Sequence, residues 1–96
     1  MSFEEFRANL TRDAPPELGA ALHGLWWDGK GDWDRAHQAA QEDASKDGCW
    51  VHAYLHRKEG DPANARYWYA RAGRVMPGGS LEDEWAELVR DLLGRA

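Results

Sequence analysis

The chain has 96 residues, 43% of them hydrophobic and 30% charged, and 17 acidic side chains against 12 Lys and Arg give a net charge of −5. That length holds one domain, residues 1–96, with a core of its own. Apolar residues are not scarce, glycine follows no triplet period and no apolar run approaches about 18 residues, which excludes a disordered, collagen-like or membrane-spanning chain.

Val51, Val75 and Val89 are the only Val or Ile, whereas Ala, Leu, Glu and Arg are plentiful, so helices are expected and strands are not. Phe3, Phe6 and Leu10, with Ser2 and Glu5 at capping-box spacing, predict a first helix over 2–11. After Pro15-Pro16 a second helix over 15–28 places Leu18, Leu22, Leu25 and Trp26 on one side and Ala20, His23, Gly24 and Trp27 on another. Gly29 to Gly31 stops it, and Asp32 caps a third helix, with Trp33, Ala36, His37, Ala40 and Ala44 on one face, ending near Ser45.

The fourth helix runs from Asp47-Gly48 to Glu59, is apolar on more than one face and belongs at the centre of the fold. Gly60-Asp61-Pro62 supplies a stop, a cap and a first helical residue, and the fifth helix loosens between Gly73 and Met76. Its Ala65, Trp68, Tyr69, Ala72 and Met76 form a core face, with Arg66, Tyr67, Ala70, Arg71 and Arg74 opposite. Pro77-Gly78-Gly79 breaks the chain before a last helix capped by Ser80, whose Leu81, Trp85, Leu88 and Leu92 make one apolar stripe. The expectation is an all-α domain of five or six antiparallel helices in which Trp27, Trp33, Trp68 and Trp85 are largely buried, Ala36, Ala65 and Ala72 sit at crossings, and Asp61 caps the helix from Pro62.

Gly31-Asp32 and Gly60-Asp61 stand 29 residues apart, each followed at the same offset by an alanine, Ala36 and Ala65. Ala53, Gly60-Asp61, Ala65, Tyr69, Ala72 and Pro77 resemble a tetratricopeptide (TPR) unit, and Gly24, Trp27, Gly31-Asp32 and Ala36 resemble a second, covering about 17–77. The resemblance implies two TPR-like helical hairpins between terminal capping helices, and a protein-interaction or adaptor module that binds a peptide or partner protein. In such hairpins the first helix of each pair lines the concave surface, which would present Trp50, Tyr54 and Arg57 to the ligand. The run Trp50 to Arg57, with Gly60-Asp61 and Asn64 to Tyr69, also resembles a family of uncharacterised bacterial proteins, which implies no known activity.

Between Cys49 and Met76 five basic residues (Arg57, Lys58, Arg66, Arg71, Arg74) outnumber Glu59 and Asp61, a local +3 in an acidic chain. A functional face at Arg66, Tyr67, Arg71 and Arg74 would take an acidic peptide, a phosphate or the acidic helix of a second copy in a homodimer, while the net charge disfavours nucleic acid. His52 and His56 have the i, i+4 spacing of metal ligands, and His23 and His37 face the same layer, so the four histidines form a candidate metal, anion or proton-transfer site. The commoner role of such a layer is structural, with each ring nitrogen on a carbonyl, carboxylate or tyrosine hydroxyl. The adjacent Glu of the zincin motif is missing, as are GxSxG, a phosphate-binding glycine loop and a Cys-His-Asn set. Neither enzymatic activity nor a cofactor is therefore expected. The lone Cys49, three residues before His52, has a packing spacing, rules out an internal disulfide and fits a cytoplasmic location. The start MSFEEFRANL lacks the basic head and apolar stretch of a secretion signal.

Overall fold

A computed structural model describes residues 1–95. Six helices and no strand occur among the described residues: α1 (Phe3–Asn9), α2 (Ala20–Gly29), α3 (Trp33–Gln41), α4 (Lys46–Glu59), α5 (Pro62–Arg71) and α6 (Leu81–Arg95). None is long and apolar enough to cross a membrane.

Local chemistry sets most of the boundaries. Ser2 and Glu5 close a reciprocal capping box on α1. Asp32 and Asp61 each accept the backbone N–H three residues on, from Arg35 and Asn64, and Gly60 ends α4 in the left-handed conformation, which a side chain would disfavour. Two boundaries differ from expectation by more than two residues. The second helix starts at Ala20 rather than Pro15, because the His23 ring reaches back to the Pro16 carbonyl at 2.8 Å and holds the preceding segment out of helical geometry. The third ends at Gln41 rather than near Ser45, because the Asp43 carboxylate accepts the Ser45 N–H and frees Ser45 to cap α4. At that joint Gly48 lies so close to the Asp43 carbonyl that a Cβ would stand 1.9 Å from its oxygen.

α2 with α3 and α4 with α5 form two antiparallel hairpins on three- and two-residue turns, respectively, and α4 touches α2, α3, α5 and α6. Small residues permit the close approach. Gly24 faces the Ala36 carbonyl and Ala40, and Ala36, Ala65 and Ala72 are buried as expected. The tryptophans sort differently. Trp26 and Trp50 are buried, whereas Trp27, Trp33, Trp68 and Trp85 are only half-buried, since each packs against the core without being enclosed by it. Trp85 still anchors α6, donating to the Leu25 carbonyl at 3.0 Å and packing on Phe3 and Phe6 of α1.

Two carboxylates are buried in the seams around α4. Glu84 of α6 accepts from Trp50 Nε1 (3.3 Å), Arg57 (2.8 Å) and the Tyr69 hydroxyl (2.6 Å), and Asp28 of α2 accepts from the Tyr54 hydroxyl (2.7 Å) and Lys58 (2.8 Å). Burial and the adjoining carboxylates push both phenols upward, so each stays a hydroxyl donor. Removing Glu84 leaves Trp50 Nε1 and the Tyr69 hydroxyl buried without a partner and Arg57 with only the Gly79 carbonyl. Glu84→Ala should therefore lower the unfolding free energy by about 3–5 kcal/mol in urea titrations. A loss under about 1 kcal/mol would mean that the carboxylate does not hold α6 in place.

Candidate functional site

On α4 the residues 50, 54, 57 and 58 share one face, and Cys49, His52 and His56 share the opposite one. α2 and α6 cover the first through the carboxylates just described, and α3 and α5 flank the second. From α3 comes His37, four residues after Trp33, and from α5 come Asn64 and Trp68.

These residues meet at one place. Donor atoms of His37, His52 and His56 all lie within 4.8 Å of one another, and His37 Nε2 stands 2.9 Å from His52 Nε2. Tryptophans clamp the first two rings. Trp33 stacks on His37 with centroids 4.9 Å apart and an interplanar angle of 10°, and Trp68 stacks on His52 at 3.9 Å and 17°. The Trp33 indole N–H is itself held by the Leu55 carbonyl at 2.9 Å. His56 Nδ1 lies 2.5 Å from a Glu59 carboxylate oxygen, which places the proton on that nitrogen and leaves the lone pair on Nε2, 3.4 Å from the Asn64 amide nitrogen.

Among the described residues neither His37 nor His52 meets a carbonyl, a carboxylate or a tyrosine hydroxyl; each ring has only the other as hydrogen-bond partner. A purely structural layer was expected to satisfy those nitrogens with such groups. Burial first, then the neighbouring His37 and His56, pulls His52 down to about 4. His37 is lowered by burial and by His56, with Glu59 and Asp34 pulling weakly the other way. Both imidazoles are thus neutral at pH 7, the form that ligates metal.

Several residues expected in a binding surface lie elsewhere. Trp50 and Tyr54 are 3% and 2% exposed, because the face of α4 that carries them is the one α2 and α6 cover. Arg57 is tied to Glu84 and the Gly79 carbonyl. His23 points away from the other three histidines to the Pro16 carbonyl and does not border their layer. On the basic face Arg74 is engaged, with its guanidinium 3.3 Å from the Trp50 ring centroid and 3.5 Å from Asp91. Arg66 and Tyr67 are exposed, and Arg71 folds over Tyr67 and Trp68. Sequence reasoning missed Glu59, Asn64 and the stacking role of both tryptophans. The signal was present in the spacing: Trp33 precedes His37 by one turn, and Glu59 follows His56 by three residues.

No family model matches the chain, and no similar protein was found among curated proteins or solved structures.

An imidazole that takes up its proton near 4 when folded, against about 6.5 when unfolded, makes the unfolded chain bind more protons across that interval. The contribution to stability is complete above about 6.5 and is lost as pH falls toward 4. Metal-free protein should accordingly lose stability across this window by more than His52→Phe does, in parallel urea titrations that cancel the shared carboxylate effects. Equal losses would show that His52 titrates normally.

Proposed function

We propose that the protein binds a transition metal ion, zinc by preference, through His37, His52 and His56. The observation that carries this reading is the mutual approach of three ring nitrogens from two helices, with His37 and His52 facing each other and not a protein acceptor. Two nitrogens on one tetrahedral zinc are about 3.3 Å apart at a Zn–N length of about 2.0–2.1 Å. The 2.9 Å between His37 and His52 needs to open by only a few tenths of an ångström to admit the ion.

The surroundings suit the assignment. Glu59 on Nδ1 of His56 has the place of the carboxylate that orients a metal-ligating histidine, and the stacked tryptophans restrict rotation of the other two rings. Three neutral nitrogen donors without a thiolate favour zinc, copper, nickel or iron over calcium and magnesium, which require oxygen. Three protein ligands also leave a tetrahedral ion one position for water or another ligand. An adaptor role loses support, because Trp50 and Tyr54, two of the three side chains that would line its groove, are in the core.

Chelator-stripped protein titrated with Zn²⁺ against a chromophoric competitor should take up one equivalent. His37→Ala and His52→Ala should each weaken uptake at least a hundredfold, Glu59→Gln by about 10- to 100-fold, and His23→Ala not at all, with far-ultraviolet circular dichroism verifying that each variant is folded. No uptake, or uptake indifferent to His52→Ala, would refute the reading.

A further inference from the structure

A cleft of about 240 Å³ runs beside the histidines, lined in part by Gln41, Asp43, Cys49, His52, Trp68 and Arg71. It shares His52 with the triad, so anything lodged in it lies against a ring assigned above to the metal. Arg71 is its only cation. The guanidinium sits 5.4 Å from the Trp68 ring centroid and 5.7 Å from that of Tyr67, and it donates to the Tyr67 hydroxyl at 3.3 Å.

Three neighbouring cations are neutralised by carboxylates, Arg57 by Glu84, Lys58 by Asp28 and Arg74 by Asp91. Among the described residues Arg71 has none. Asp43, the acidic residue of the cleft, accepts the Ser45 N–H at 2.9 Å and so has a backbone partner at the start of α4. A guanidinium backed by an aromatic ring keeps its planar fork of donors, which fits a carboxylate or phosphate with two parallel hydrogen bonds. The metal adds a second attraction. Three neutral imidazoles bring no charge to a divalent ion, which leaves its remaining position suited to an anion.

We infer that the cleft binds a small oxyanion, a carboxylate or phosphate group, held by Arg71 beside the metal at His52. The inference rests on the three-histidine reading and extends it from an ion to the class of ligand the ion receives. At about 30 Å³ per water-sized group a cleft of about 240 Å³ holds roughly eight such groups, so a larger molecule would enter by its anionic end.

The test uses full-length protein loaded with Co²⁺, whose visible absorption reports both occupancy and changes at the fourth ligand position. Inorganic phosphate and acetate are titrated separately into the parent and Arg71→Gln. The expected result is equal Co²⁺ uptake by the two proteins, a saturable spectral change with at least one anion in the parent, and binding at least tenfold weaker in Arg71→Gln; the anion that responds identifies the group preferred. Normal Co²⁺ uptake with no response to either anion would overturn the inference and leave the metal site standing. Equal responses in both proteins would overturn it too, since the metal alone would then be holding the anion. Absence of Co²⁺ uptake would refute the metal site itself and the inference with it.

Discussion

Glu84 is the residue through which the rest of the arrangement is set. Its carboxylate lies between α4, α5 and α6 and takes donors from Trp50, Arg57 and Tyr69. Asp28 does the same between α2 and α4 with Tyr54 and Lys58. A hydrophobic seam would allow α4 to turn about its axis with modest loss, because apolar contacts are weakly directional. Hydrogen bonds to buried charges are directional, and a turn of α4 would strand two carboxylates and the groups that serve them. The two acids therefore fix the rotation of the central helix.

Fixing that rotation determines what the opposite face displays. With residues 50, 54, 57 and 58 committed to the seams, His52 and His56 project between α3 and α5, where His37 meets them. Trp33 and Trp68 then occupy the space that would let the rings swing, and their apolar faces help to exclude the water that would favour imidazolium. His37 and His52 are thus held close and uncharged together. Burial disfavours their protonation first, and the repulsion between like charges at this spacing adds to it.

Much of the secondary structure was legible because it is written in local chemistry. Ser2 with Glu5, Asp32 and Asp61 act within three residues of their own position, and the small residues Ala36 and Ala65 recur at a fixed offset from a glycine-aspartate pair. The histidine layer was legible for the same reason, since helical spacing places His52 above His56. Longer-range effects were not. The delay of α2 depends on His23 finding the Pro16 carbonyl, and a helical wheel assigns a face to Trp68 without saying how far its neighbour covers it. Glu84 and Asp28 were hardest to see. Acidic residues ordinarily mark a solvated surface, and only the approach of Tyr69, Arg57, Tyr54 and Lys58 from other helices makes their burial tolerable.

The lengths of the connections also carry a kinetic consequence. Each hairpin closes over a two- or three-residue turn, whereas α6 follows α5 across residues 72–80 and must find partners as distant in sequence as Leu25, bonded to Trp85. Loop-closure entropy favours the hairpins as early structure and delays the docking of α6 and of one hairpin on the other. The three histidines span both hairpins, so their cluster would be a late product of folding. A nascent chain would then expose separate, weakly ligating imidazoles until the last seams close. A φ-value near zero at Glu84, with higher values at Ala65, would be the kinetic signature of that order.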